Sequence, residues 1–241
     1  MRTKQMTASD YNAVLRLDFS AFLQRTFYEL NPGQSFFGNW HLDLIASRLE
    51  DCRNGRCRRL IINVPPRTMK SQMASVAFPA FWLGHDPTKR IICVSYGQDL
   101  ANTHAMSTRT LMNSPFYRGV FGNRLSPEKQ SVGEFMTPDL GFRLATSVGG
   151  VLTGRGADVI IIDDPLKPDE ALSDTQRKNV NEWYSHTLYS RLNDKANGVI
   201  ILIMQRLHLD DLVGHVLTQE KWEVLSLPAI ATKEETFIYT S

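Results

Sequence analysis

Cysteine is scarce in this chain, with three in 241 residues. Cys52, Cys57 and Cys93 form no even disulfide framework and no metal-ligand spacing, which excludes a disulfide-stapled scaffold and a cysteine-bound zinc fold. They read as reduced bystanders in a reducing compartment. Long apolar runs are missing too: none reaches the roughly 20 residues a membrane helix needs, so no membrane partner is expected. The N-terminus has charges but no apolar signal-peptide core. A charge excess is also absent, with 27 Lys and Arg against 25 Asp and Glu, so charge alone does not demand nucleic acid. There is no repeat and no low-complexity tract. What remains, 42% hydrophobic and 22% charged residues, fits a soluble, intracellular α/β enzyme of one large domain.

Glycine is missing from one place where the surrounding pattern asks for it. Arg58 to Ser71 runs from a β-branched apolar segment, Leu60–Val64, into Pro65-Pro66-Arg67-Thr68-Met69-Lys70-Ser71. Strand, tight turn and helix-opening Lys-Ser is the layout of a phosphate-binding loop. There the orphan N–H groups and positive dipole end of the helix hold an anion. Lysine reaches the β/γ-phosphates and the serine hydroxyl can ligate Mg²⁺. The usual loop has Gly before the four variable residues and Gly before Lys; here Val64 and Met69 stand there. Met69 must do without glycine's freedom at positive φ. On its own the segment also fits a strand, a turn and a helix with an exposed lysine.

A second segment strengthens the first. Val159-Ile160-Ile161-Ile162-Asp163-Asp164-Pro165 is a continuous apolar strand ending in two carboxylates. A parallel strand buried on both faces should look like this, and open α/β sheets bind ligands at the carboxyl ends of their strands. Asp163 suits Mg²⁺ held through its water shell, and Asp164 suits the polarisation of an attacking water. A solvated Asp-Asp-Pro turn is the alternative. The order of the two motifs, about ninety residues apart, favours a Mg²⁺-dependent ATPase.

The rest of the chain alternates strands and helices. Asp10–Leu30 contains an amphipathic helix and His41–Leu49 a second; Lys70 and Ser71 open another, which Pro79 kinks or ends. Arg90–Ser95 is a strand and Asp99–Met112 a helix stopped by Ser114-Pro115. Phe116–Pro138 reads as loop-rich, and Phe142–Ala145 as the start of a strand. Ser173 or Asp174 caps a helix reaching about Leu192; Val199–Met204 is a buried strand and Asp210–Leu217 a helix. The alternation predicts a mostly parallel, doubly wound α/β sheet flanked by helices.

With these motifs in place, the chain resembles the N-terminal ATPase domain of the large terminase subunit of tailed bacteriophages. The resemblance rests on Pro65–Ser71, Ser95-Tyr96, Thr153-Gly154-Arg155-Gly156-Ala157-Asp158, Ile162-Asp163-Asp164-Pro165 and Gln205-Arg206-Leu207-His208-Leu209-Asp210-Asp211-Leu212, in that order, and spans about Trp40 to Ala231. It implies a P-loop NTPase of the additional-strand, catalytic-glutamate type, with ATP and Mg²⁺ as cofactors, that drives double-stranded DNA into a procapsid. Expected partners are that DNA, a portal protein, a small terminase subunit and further copies in a ring formed only on the portal, the lone chain being monomeric. The expected location is the host bacterial cytoplasm. The implied segments are 1–57, helical and on the adenine side; 58–230, the ATPase core; and 231–241, the start of a linker, with the family's nuclease domain absent.

Matched by position, Pro66, Arg67, Thr68, Met69, Lys70 and Ser71 bind ATP, Ser71 and Asp163 serve the metal, and Asp164 orients water. Arg67 resembles a γ-phosphate sensor and equally a surface cation. Arg155, between Gly154 and Gly156, suits an arginine finger offered to a neighbouring subunit, or a solvated turn. Gln205 and Arg206, after a buried strand, suit coupling of phosphate loss to the following helix; an ordinary strand–helix loop is the alternative. Trp40 and His41 resemble the adenine-contacting segment, although Trp40 fits core packing as well. His208 near Asp210 and Asp211 reads better as a helix N-terminal box than as a metal site. Arg53, Arg56, Arg58 and Arg59 read as a solvated edge. The family pattern usually has Gly at Met69, Glu at Asp164 and Thr or Ser at Gln205. Two other readings stay open: a helicase- or translocase-type ATPase of another branch, and a catalytically silent assembly module from a prophage remnant, which Met69 and Asp164 keep alive.

Overall fold

The computed structural model describes residues 6–231 and 234–239. Seven strands make one sheet: β1 (Arg59–Asn63), β2 (Arg90–Ser95), β3 (Glu134–Met136), β4 (Phe142–Ser147), β5 (Val159–Asp163), β6 (Val199–Met204) and β7 (Glu223–Ser226). Their order is β3-β4-β2-β5-β6-β1-β7. All neighbours run parallel except β3 and β4. The apolar runs of β1, β5 and β6 are buried along their whole length, as strands covered on both faces must be. β6 lies between β1 and β5, the inserted strand that the additional-strand class requires.

Period-two alternation divides each strand between two cores. Leu60, Ile62, Val159 and Ile161 face one layer, with Phe19, Phe22, Leu44, Phe78, Phe81 and Tyr117. Ile61, Ile160 and Ile162 face the other, with Val180, Leu188, Val213 and Trp222. The first layer is built by α1 (Ala8–Leu17), α2 (Phe19–Leu30), α3 (Trp40–Arg53), α4 (Phe78–His85), α5 (Gln98–Asn113) and α6 (Pro115–Phe121); α7 (Asp174–Trp183) and α8 (Leu212–Leu217) cover the second. Residues of α2 and α3 thus share one core with the strands. Each fully buried aliphatic or aromatic side chain contributes roughly 1.5–3 kcal/mol.

Several boundaries differ from expectation for local reasons. The helix expected over Asp10–Leu30 is two helices, because Asp18 turns extended, donates its N–H to Val14 O and accepts the Ser20 and Ala21 N–H groups as the cap of α2. Pro79 does not end its helix. It sits in the first turn of α4, just after a π-helical turn over Gln72–Ala77, where Phe78 N–H donates to Met73 O. Phe116–Pro138 is less irregular than expected: Ser114 caps α6 by accepting the Tyr117 N–H, with Pro115 at the first helical position, and β3 pairs antiparallel with β4. α8 starts at Leu212 because Asp211 is its cap. The helix expected to reach Leu192 is α7, followed by a π turn and a 3₁₀ turn ending at Arg191. Of the arginines expected on a solvated edge, Arg59 is buried and pairs with Glu220 at 2.9 Å. The three cysteines are free and buried.

Candidate functional site

The carboxyl ends of β1, β5 and β6 finish level, with Asp163 opposite Ile203 and Asn63 opposite Met204. The loop after β1 and the acids after β5 therefore meet at one edge. Thr68 Oγ donates to Pro65 O at 2.8 Å and braces the loop. Arg67 and Met69 both take left-handed backbone, φ 63° and 61°. The position of Met69 thus demands the geometry that glycine supplies elsewhere, and Met adopts it at a cost of roughly 1–2 kcal/mol. Its side chain packs against the core. The helix begins at Lys70.

Two cross-pairs close the site. Lys70 Nζ lies 2.7 Å from Asp164 Oδ1. Ser71 Oγ donates to Asp163 Oδ1 at 3.1 Å, and Ser75 Oγ, one turn on, donates to Asp163 Oδ2 at 2.8 Å. Asp164 has φ 44°, and its Oδ1 also accepts the Gln205 N–H at 3.2 Å. The two neighbouring acids differ sharply in setting: Asp163 is buried, while the Asp164 side chain is 31% exposed. Burial, with the charge of Asp164 adding, pushes Asp163 up to about 6 against the hydrogen bonds of Ser75 and Ser71. His104 on α5 has Nδ1 3.8 Å from Asp163 Oδ2. Burial, with Arg143 adding, holds His104 down to about 4, so near neutral pH it is uncharged and no counter-ion to Asp163.

The donors near Asp163 are hydroxyl and carboxylate oxygens, which suit a hard cation such as Mg²⁺. Among the described residues no group of three or more His, Cys, Asp or Glu could hold a metal by itself.

Other expected residues lie around this centre. Arg67 is exposed on the loop. Trp40 and His41 open α3 and line a cleft of about 1020 Å³ with Val64, Pro65 and Thr68. Phe237 also lines that cleft, its ring stacked beside Trp40 at 6.1 Å and within 19° of parallel. Trp40 is 53% exposed, which favours a wall of the cleft over a core position. Arg155 stands apart: Nη2 is 2.7 Å from Glu134 Oε2, and Lys129 Nζ is 2.8 Å from Glu134 Oε1. Arg206 Nε donates to Asp211 Oδ2 at 2.9 Å, and Asp211 caps α8 by accepting the Gly214 N–H. His208 accepts the Asp210 N–H through Nδ1, part of that same helix-opening box.

Ser75, Arg143, Glu134 and Phe237 were not expected from sequence. Ser75 follows Ser71 by four residues, one helical turn, and that spacing was a readable signal. The charge of Arg143 inside the strand Phe142-Arg143-Leu144-Ala145 was another. For Glu134 and Phe237, far from their partners along the chain, there was none.

The sheet, its inserted strand and the loop–acid edge define an α/β fold of the P-loop NTPase kind. The chain folds like a terminase large subunit domain: the crystal structure of the HK97 bacteriophage large terminase matches 92% of it at a TM-score of 0.53 and 14% identity. The chain spans 45% of the length of that protein. No protein-family model and no curated protein matches the sequence. Among the described residues, no helix is long and apolar enough to cross a membrane.

Proposed function

We propose that this domain is the Mg²⁺-dependent ATPase of a terminase-type motor that translocates double-stranded DNA into a procapsid. The observation that carries the reading is the pair of crossed contacts, Lys70 with Asp164 and Ser71 with Asp163, at the carboxyl edge of a sheet whose β6 separates β1 from β5. The likeness of fold to a large terminase supports this reading.

On this reading the start of the Lys70 helix and the loop N–H groups bind the phosphates, and Lys70 leaves Asp164 for them. Ser71 and Asp163 would hold Mg²⁺, which when bound would supply charge neutralisation at the phosphates. Asp164, once released, orients the attacking water, and positioning with charge neutralisation does the catalysis. Trp40, His41 and Phe237 line the cleft for the adenine. Arg155 leaves Glu134 to serve a neighbouring copy. Gln205 senses the change at Asp164 through its N–H, and Arg206 passes it to α8 through Asp211. A portal, a small subunit and a ring of copies on the portal complete the motor.

The test is phosphate release from the purified chain, with and without duplex DNA. Mg²⁺-dependent release that Lys70→Ala abolishes is the expected result. No release under any condition leaves the silent assembly module, and strand separation in an unwinding assay points to the helicase branch.

A further inference from the structure

The buried side of Asp163 is built as carefully as its open side. Ser71 is half-buried and Ser75 buried, so the two serines take opposite oxygens of the carboxylate: Oδ1 towards the opening and Oδ2 towards the interior. Ser75 can do this only while the π turn over Gln72–Ala77 keeps its shape. That turn has a weak point. Pro79 has no N–H to give to the carbonyl four residues back, which is Ser75 O. A donor arrives from β4: Arg143 Nη2 donates to Ser75 O at 3.1 Å.

Arg143 is an expensive donor. The side chain is 0% exposed, and its Nε and Nη1 have no hydrogen-bond partner among the described residues. Burial pushes its pKa down. A buried guanidinium with unmet donors weakens a fold relative to an apolar residue of the same volume. Packing alone does not account for a charge at this point of β4. Among the described residues, its one side-chain hydrogen bond ends on the turn that grips Asp163.

We infer that Ser75 and Arg143 are positioning residues for the divalent cation: Arg143 holds the π turn, and Ser75 holds Oδ2 so that Oδ1 of Asp163 faces the metal. The inference rests on the Mg²⁺–ATPase reading and adds to it the group that fixes the carboxylate's orientation. Outer partners of metal-ligating groups typically change metal affinity by ~10–100-fold when removed.

The experiment measures Mn²⁺ binding by electron paramagnetic resonance to the full chain loaded with a non-hydrolysable ATP analogue. Binding of the same analogue in EDTA is measured alongside. Ser75→Ala is expected to weaken Mn²⁺ about 10-fold while analogue binding in EDTA stays within about twofold, and Ser75→Thr, which keeps the hydroxyl, is expected to restore the wild-type value. Arg143→Met should reproduce the Ser75→Ala defect; should that variant fail to fold, Ser75→Ala and Ser75→Thr decide the matter alone. Wild-type Mn²⁺ affinity in Ser75→Ala overturns the inference and leaves the ATPase reading standing. Absence of Mn²⁺–nucleotide binding in the wild-type chain overturns that reading and the inference with it.

Discussion

The centre of the sheet edge and its flank handle charge in opposite ways. At the centre, Lys70, Ser71, Ser75, Asp163 and Asp164 sit on or next to strand and helix ends and contact one another directly. Lys70, Ser75 and Asp163 are buried. At the flank, Arg155 lies on a loop beside Gly154, which has φ 72°, and its side chain is held by an ion pair to Glu134. The centre is organised before any ligand arrives; the flank is held by a contact that can be exchanged. Chemistry that needs fixed geometry belongs at the first place, and a group that must reach another molecule belongs at the second.

The sharpest way to break the comparison is at the centre. Lys70→Ala should lower turnover by about 10³ or more, since it removes a charge placed for the transition state. Steady-state phosphate release checks it, and near-normal turnover would remove Lys70 from the mechanism. Asp164→Asn should lower turnover by about 10²–10⁴ while ATP stays bound. Its unliganded form should also melt lower, because buried Lys70 loses its carboxylate partner, and added ATP should recover the difference. A scan with and without ATP reads both effects.

Asp163 tests whether the centre trades stability for function. Its pKa is raised on folding to about 6, so the folded protein holds this proton more tightly than the unfolded chain. Stability linked to the group is greatest below the unfolded value near 4 and is lost as pH rises through about 6. In metal-free protein, Asp163→Asn should therefore be stabilising at pH 8 by up to about 3 kcal/mol, with the gain gone by about pH 4. Urea unfolding at the two pH values measures it; an Asn variant less stable at pH 8 would show that the serine hydrogen bonds outweigh the buried charge.

The flank should respond more gently. An ion pair with one partner as exposed as Arg155, 38%, contributes at most about 1 kcal/mol. Glu134→Gln should leave folding intact and steepen the rise of specific ATPase activity with protein concentration, while Arg155→Ala should flatten it. Mixing Arg155→Ala with Lys70→Ala should restore part of the activity if Arg155 acts across subunits. The smallest effect is expected at Met69→Gly: relief of left-handed strain and loss of core contact should offset to within about 1 kcal/mol, read as the melting temperature.

Legibility followed burial. β1, β5 and β6 announced themselves because strands covered on both faces need uninterrupted apolar residues, and the loop and acids were readable because they interrupt those runs. β7 did not: it is an edge strand whose Glu223, Val224 and Ser226 are exposed, so only Leu225 records the core. α6 was hidden by Pro115, which stops one helix and starts the next. The open side of Asp163 was visible in Ser71, but its interior partner Ser75 sits in a turn whose carbonyl takes a hydrogen bond from Arg143, 68 residues away on β4. Trp40 was singled out while its partner Phe237 was not, because nothing local to either ring records the other.

On the proposed reading, the contact between Lys70 and Asp164 also makes the unliganded domain its own competitive inhibitor. Lys70, the cation proposed for the nucleotide, is already paired with Asp164, the acid proposed to direct water, so each masks the other. An arriving anion must outbid a carboxylate that is tethered and therefore locally concentrated. A polyphosphate, with several charges and the loop N–H groups to help, can do so where a lone small anion is at a disadvantage. Displacement then delivers two things at once, a lysine on the phosphates and an unmasked base beside them. On the proposed reading, the water-activating group comes into being only when there is something to hydrolyse.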